Sequence, residues 1–160
     1  MKLKDIIAED FINYKLPSMF IISSTCNWKC CIEQGYDLSL CQNSALAQQK
    51  TLDISPEMIY NMYTQNPITS AIVIGGLEPI DQIDEVIEII DYFRKNGEFS
   101  PFVIYTGYYP TEIPNALNRL KKYSNIIMKF GRFVLNSPHR YDDILGVELA
   151  SENQYAEVIS

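Results

Sequence analysis

Apolar residues along the chain alternate between short continuous runs and longer stretches with helical spacing. Four runs have the length of buried strands, at residues 19–23, 71–74, 102–106 and 125–129. Three stretches repeat apolar residues every three or four positions, at residues 58–63, 83–93 and 113–120. This alternation of strand and helix predicts an α/β fold whose sheet is mainly parallel, with right-handed crossovers.

Two segments near the start of the chain depart from that alternation. Residues 3–14 carry apolar side chains at helical spacing, so residues 1–17 are predicted to form an N-terminal arm or helix. Residues 24–50, called the cysteine loop below, are polar and aperiodic, which predicts a long irregular and therefore functional loop. Residues 18–160 are expected to form one domain.

Glycines and polar residues follow the predicted strands, and the cysteine loop follows the first of them. In parallel α/β folds, ligands bind beyond the carboxyl ends of the strands. The sequence therefore predicts a single site that gathers these positions. The residues at the ends of the later strands are Gly75, Gly76, Thr106, Gly107, Gly131 and Arg132.

Composition and charge narrow the possible functions. Hydrophobic residues make up 47% of the 160 positions and charged residues 21%, as in ordinary globular proteins. The net charge of −7 and the lack of a basic run longer than Lys121-Lys122 argue against a nucleic-acid partner. No run approaches the roughly 18 apolar residues that span a bilayer, and the charged start differs from a signal peptide. We therefore expect a cytoplasmic protein without a membrane partner.

The four cysteines, at positions 26, 30, 31 and 41, carry the chemical signal. Because disulfides are rare in the cytosol, clustered cysteines there indicate metal binding or catalysis. Three interpretations stay open from the residues alone: buried thiols, a zinc site and an iron–sulfur cluster. Three cysteines on a 4Fe–4S cluster would leave the fourth iron free for a ligand. His139, the only histidine, is far along the sequence and is expected to be a surface or structural residue.

Several segments resemble, in order, those of radical S-adenosylmethionine proteins that activate anaerobic ribonucleotide reductases. Residues 25–30 resemble the opening of the Cys-x3-Cys-x2-Cys motif, and residues 41–44 resemble the Cys-x-Asn-Pro segment that carries the third cysteine. Residues 75–79, 105–108, 131–133 and 150–154 resemble the Gly-Gly-Glu/Asp-Pro, Tyr-Thr-Gly-Tyr, Asp-Gly-Arg-Phe and Gly-Ser-x-Asn-Gln segments. The chain departs from the pattern at Glu33, which occupies the usual third-cysteine position, at the inserted Leu77, and at Phe130, which replaces the aspartate. The resemblance covers residues 19–160.

The resemblance implies a fold and a set of site residues. The fold would be a small partial (β/α) barrel of the radical S-adenosylmethionine type. Cys26, Cys30 and Cys41 would bind a 4Fe–4S cluster, with Cys31 as a spare thiol. Glycine backbone would approach the methionine end of S-adenosylmethionine, and Glu78 would pair with its ammonium group. The residues implied to bind this second cofactor are Gly75, Gly76, Glu78, Thr106, Gly107 and Arg132.

The resemblance also implies an activity and partners. The chain would be an oxidoreductase that cleaves S-adenosylmethionine reductively and generates a 5′-deoxyadenosyl radical. That radical would install a glycyl radical on a partner such as anaerobic ribonucleotide reductase, with a flavodoxin or ferredoxin as electron donor. The enlarged loop at residues 31–40 would adapt the chain to its partner. The alternatives are a non-catalytic iron–sulfur or zinc-binding module on the same scaffold, and a radical enzyme that modifies a peptide or small molecule.

Overall fold

A seven-stranded mixed sheet runs through the computed structural model, which describes residues 1–160. A separate two-stranded hairpin packs beside it. The strands are β1 (Lys2–Asp10), β2 (Ser18–Ser23), β3 (Leu52–Asp53), β4 (Ala71–Gly75), β5 (Phe102–Tyr105), β6 (Ile126–Phe130), β7 (Arg140–Asp142), β8 (Val147–Leu149) and β9 (Tyr155–Val158). The helices are α1 (Lys29–Gln34), α2 (Ser44–Gln48), α3 (Pro56–Thr64), α4 (Ile83–Lys95) and α5 (Pro114–Leu120).

The four predicted strand runs form the parallel centre of the sheet. The strand order is β3-β1-β2-β4-β5-β6-β9, and the pairs from β2 through β6 are parallel. β1 and β9 flank this centre and pair with it antiparallel. The prediction of an α/β fold with a mainly parallel centre is therefore confirmed, whereas β3, β7, β8 and β9 were not predicted.

Two apolar layers cover the two faces of the sheet. Because side chains alternate along a strand, Ile72 and Ile74 face α3, α4 and α5, and they pack in a core that includes Phe93. Val73 faces the other way and packs in a smaller cluster with Leu145, beneath the β7–β8 hairpin. The helices and the hairpin thus leave the carboxyl ends of the central strands open for a site.

The three predicted helices are confirmed, and local chemistry explains their ends. α3 starts where the Ser55 side chain accepts a hydrogen bond from the Met58 N–H at 3.2 Å, with Pro56 in the first turn. α4 has acidic residues in its first turn and basic residues in its last, which suits the helix dipole. No helix of the chain is both long and apolar enough to cross a bilayer.

Two expectations for the start of the chain are wrong. Most of the segment predicted as an arm or helix belongs instead to strand β1, in which Ile6 pairs with Ile21 of β2 and Leu3 pairs with Leu52 of β3. Pairing covers what would otherwise be the open edge of β2 and fully buries Leu3, so sheet contacts outweigh the helical spacing. The cysteine loop is not irregular throughout, because it contains α1, α2 and a 3₁₀ turn at Leu38–Leu40.

Candidate functional site

A cavity of about 130 Å³ lies where the cysteine loop meets the carboxyl ends of β4, β5 and β6. We call it the thiol cavity, because three of the four cysteines line it. Seven of the nine predicted site residues border this space. They are Cys26, Cys30, Cys41, Gly76, Glu78, Thr106 and Gly107.

The first part of the cysteine loop is fixed by the 3₁₀ turn that follows β4, at Pro79–Gln82. The Gln82 side-chain oxygen accepts a hydrogen bond from the Ser24 N–H at 2.8 Å, and the Asp81 carboxylate accepts one from the Asn27 N–H at 3.0 Å. The backbone of Thr25 also accepts a hydrogen bond from the Glu78 N–H at 2.7 Å. These bonds hold the segment around Cys26 against the end of β4.

Cys41 is fixed by a different part of the fold. It ends the 3₁₀ turn, and its carbonyl accepts a hydrogen bond from the Ser44 N–H at 2.9 Å, where α2 begins. α2 is anchored at its other end by Lys4 of β1, whose ammonium donates to the carbonyls of Ala47 and Gln49 at 3.1 and 2.8 Å. The two halves of the cysteine set are therefore anchored by different parts of the fold.

The three cavity cysteines share a feature that Cys31 lacks. A backbone N–H lies at each sulfur: Trp28 donates to Cys26 at 3.3 Å, Asn43 donates to Cys41 at 3.5 Å, and the Phe133 backbone opposes the rise in the pKa of Cys30. Cys31 is only 1% exposed and hydrogen-bonds to the Cys41 sulfur instead. Backbone N–H groups stabilise thiolate charge, so they favour metal-bound sulfur at the three cavity positions.

Burial keeps the thiols of Cys26 and Cys30 protonated while no metal is bound. It raises the pKa of Cys26 to about 12, and it also raises the pKa of Cys30. A metal ion displaces such protons on binding, so occupation of the site would release them. No three Cys, His, Asp or Glu side chains lie close enough to share a single metal ion.

Glu78 joins the ends of β4 and β5 from inside the cavity wall. Its carboxylate accepts hydrogen bonds from the Thr106 hydroxyl at 2.7 Å, the Gly107 N–H at 2.8 Å and the Ile80 N–H at 3.1 Å. Burial nevertheless raises the pKa of Glu78 to about 7. The carboxyl group therefore changes its charge near neutral pH.

Lys129, at the end of β6, is the cationic side chain of this site. It is 6% exposed, and its ammonium has one hydrogen-bond partner, the Gly131 carbonyl at 3.0 Å. Burial lowers the pKa of Lys129 to about 8. An ammonium has three donors, so Lys129 keeps donors free for an anionic group in the cavity.

A larger cleft of about 440 Å³ adjoins the thiol cavity. Its outer walls come from the β1–β2 connection and the β7–β8 hairpin, with Ile12 on one side and Leu149 on the other. Residues that line both spaces show that the two are continuous. They are Gln42, Asn43, Gly76, Tyr105, Lys129 and Gln154.

The remaining two predicted site residues lie outside the thiol cavity. Gly75 is within the sheet, where its carbonyl accepts a hydrogen bond from the Ser23 hydroxyl at 2.9 Å. Arg132 lies beside a small pocket next to the cavity, and its guanidinium is already bound by Glu33 and Glu112. His139, expected to be a surface or structural residue, is mostly exposed and lies 3.7 Å from Glu148.

Sequence reasoning did not assign a role to Lys129, although a signal was present. It is the only charged residue in the buried strand β6, whose other members are Ile126, Ile127, Met128 and Phe130. A lysine within such an apolar strand marks a charge that the fold buries at a cost. Tyr105 and Gln154 were inside segments noted for their resemblance, yet they too were not assigned to the site.

Comparison with models of known protein families, with curated proteins and with solved structures finds no match to the chain. The class of protein must therefore be argued from the cavity itself.

Proposed function

We propose that this chain is a radical S-adenosylmethionine enzyme whose cysteines Cys26, Cys30 and Cys41 hold a 4Fe–4S cluster. The observation that carries the proposal is the convergence of two separately anchored segments on one cavity, with a backbone N–H directed at each of these sulfurs. A 4Fe–4S cluster binds each thiolate to a different iron, so its ligands surround a cavity. A single zinc ion, with bonds of about 2.3 Å to sulfur, needs its ligands at one point.

The residues around the cavity fit the second cofactor as well. When bound together, the reduced cluster supplies one electron that splits S-adenosylmethionine into methionine and a 5′-deoxyadenosyl radical. Lys129 offers free donors to a carboxylate, and Glu78, once ionised, offers charge to an ammonium. The continuous cleft supplies room for the adenosine part beside the thiol cavity. The thiol cavity and the cleft beside it thus provide two neighbouring spaces, one for the cluster and one for the organic ligand.

Backbone geometry at the end of β4 supports close approach by a ligand. Gly76 has a φ of +79°, and a Cβ there would lie 2.6 Å from the Ile22 Cγ2 atom. Glycine is therefore required at this position, and its backbone forms part of the cavity wall without a side chain in front of it. Of the two predicted glycines, Gly76 is the one that suits the ligand role.

The proposal extends to the fold and the partner. The parallel centre from β2 to β6, with its site at the carboxyl ends, is compatible with the partial barrel of this enzyme class. The target would be a glycine on a separate glycyl-radical enzyme, reached through the open cleft, and a flavodoxin or ferredoxin would supply electrons. The expected cytoplasmic location belongs to the same proposal.

The test begins with protein purified without oxygen and reconstituted with iron and sulfide. After reduction and addition of S-adenosylmethionine, we expect 5′-deoxyadenosine, detected by liquid chromatography. Cys41→Ala should abolish both the cluster and the product, whereas the matched control Cys31→Ala should retain both. Tightly bound zinc, or a full cluster that yields no 5′-deoxyadenosine, would reject the enzyme in favour of a non-catalytic module.

A further inference from the structure

Four charged side chains form one network around the base of α1, next to Cys30. Glu33 and Lys29 extend from α1, Arg132 follows β6, and Glu112 ends a 3₁₀ turn after β5. Arg132 Nε lies 2.5 Å from one Glu33 oxygen, and Lys29 Nζ lies 2.5 Å from Glu112. With two cations and two anions, the network is neutral and joins three separate parts of the chain.

Arg132 is the centre of this network, and both of its terminal nitrogens are hydrogen-bonded within the protein. Its two terminal nitrogens donate to the two oxygens of Glu112 at 2.7 and 2.6 Å, and one of them also donates to Glu33 at 3.0 Å. The Gly107 carbonyl accepts a further bond at 3.1 Å, and the Tyr109 ring lies 5.2 Å from the guanidinium. The side chain is only 8% exposed and its Nε faces Glu33, so the protein itself surrounds the guanidinium.

The same segment contacts α1 directly at the cysteine. The Phe133 backbone, one residue beyond Arg132, acts on the Cys30 thiol and opposes the rise in its pKa. The Phe133 carbonyl accepts a hydrogen bond from the Gln34 amide at 2.7 Å. Near Cys30, α1 is thus held to the end of β6 by the ion pair of Glu33 with Arg132 and by the hydrogen bond of Gln34 to Phe133.

We propose that Arg132 is a positioning residue that fixes Cys30 by binding Glu33, and that it does not bind the cofactor. This inference rests on the proposed function, because it concerns a thiolate of the proposed cluster. Glu33 occupies the sequence position where the third cysteine of the resembled motif is usually found. At that position this chain has an anchor for α1 in place of a metal ligand, while Cys41 completes the ligand set from another segment.

The first experiment measures cysteine alkylation in the reduced protein without metal, resolved for each cysteine by mass spectrometry. In Arg132→Gln and in Glu33→Gln, we expect Cys30 to react about tenfold faster. The reason is that loss of about 1.4 kcal/mol from the contact that holds α1 makes its open state about ten times more populated. Cys41, which is held by α2 and the 3₁₀ turn, should react at the wild-type rate. Arg132→Lys should be intermediate, because lysine binds carboxylates as a point charge without the planar fork of arginine.

The matched control is Arg119→Gln, which removes an exposed ion pair to Asp84 at 2.7 Å far from the cysteines. It should leave the reactivity of Cys30 unchanged. The proposal is overturned if Arg132→Gln leaves Cys30 unchanged, or if all four cysteines react faster together with a general loss of thermal stability.

A second measurement separates positioning from cofactor binding in reconstituted protein. A positioning role predicts that Arg132→Gln lowers the iron content and alters the electron paramagnetic resonance signal of the reduced cluster. A cofactor-binding role predicts normal iron content with weakened binding of S-adenosylmethionine, and that result would overturn the inference. If wild-type protein takes up no cluster, the proposed function fails, while the alkylation experiment still decides whether Arg132 fixes Cys30.

Discussion

Replacement of Lys129 by methionine should stabilise the protein without its cofactors, because the lysine is buried at a cost. Lysine has an ordinary pKa of 10.5, and burial lowers the pKa of Lys129 to about 8. That difference means that burial of the charged ammonium destabilises the native protein by about 3 kcal/mol at neutral pH. Methionine has a similar length and no charge, so it removes this cost.

One favourable contact is lost in the same variant. The Lys129 ammonium donates to the Gly131 carbonyl at 3.0 Å, a bond worth about 1 kcal/mol. The carbonyl keeps a second partner, because the Gln154 amide donates to it at 3.3 Å. We therefore expect Lys129→Met to raise the free energy of unfolding by about 2 kcal/mol at pH 7, the remainder after that bond is subtracted.

The pH dependence follows from proton binding in the two states. Between pH 8 and 10.5 the unfolded chain binds more protons at this lysine than the native protein does, so native stability rises with pH in that window. The wild-type protein should therefore regain about 2 kcal/mol between pH 7 and pH 9.5, and the advantage of the variant should vanish there.

The assay is urea denaturation of reduced protein without metal, at several pH values. Lys122→Met serves as the control, because Lys122 is exposed and its substitution should change stability by less than about 0.5 kcal/mol. A Lys129→Met protein that is less stable than the wild type at pH 7, or an advantage that does not shrink with pH, would refute the reasoning. Under the proposed function, the same variant in reconstituted protein should bind S-adenosylmethionine more weakly, since the cavity loses its cation.

Three further predictions concern the walls of the site. Burial raises the pKa of Glu78 from 4.5 to about 7, so wild-type stability should fall by about 3 kcal/mol as pH rises through that window, and Glu78→Gln should flatten this slope in urea denaturation. Gly76→Ala should cost more unfolding free energy than Gly97→Ala, because both glycines have positive φ but only Gly76 lacks room for a Cβ; equal losses would contradict this reading. Lys4→Met should speed amide hydrogen exchange in α2 but not in α4, since Lys4 binds carbonyls at the end of α2 alone.

The central fold was predictable because local patterns and tertiary structure agree there. The strand runs are apolar and short, and they carry no competing periodicity, so burial on both faces decides their structure. Residues 3–14 show the opposite case. Their helical spacing is a local signal, whereas the partners that make them a strand, β2 and β3, are supplied by segments up to 50 residues away.

The candidate site was predictable where one residue type carries the chemistry. Cysteines in one loop and the residues at strand ends can be found from the sequence, and seven of the nine predicted site residues border the thiol cavity. Arg132 was assigned to the cofactor because it follows a strand, but its role depends on Glu33 and Glu112, which are distant in sequence. Side-chain pairing of this kind is set by the packed structure and leaves no periodic pattern along the chain.

The two buried ionisable groups of the cavity provide the strongest physical argument that it binds a ligand. Glu78 and Lys129 have pKa values of about 7 and about 8, so at neutral pH the empty site tends to hold charges that burial opposes. Stability alone would favour apolar residues at both positions. A ligand with an ammonium and a carboxylate, as at the amino-acid end of S-adenosylmethionine, would pair with both groups and offset the cost of their burial. Under the proposed function, the fold therefore keeps two charges at the cavity whose burial the bound ligand would offset.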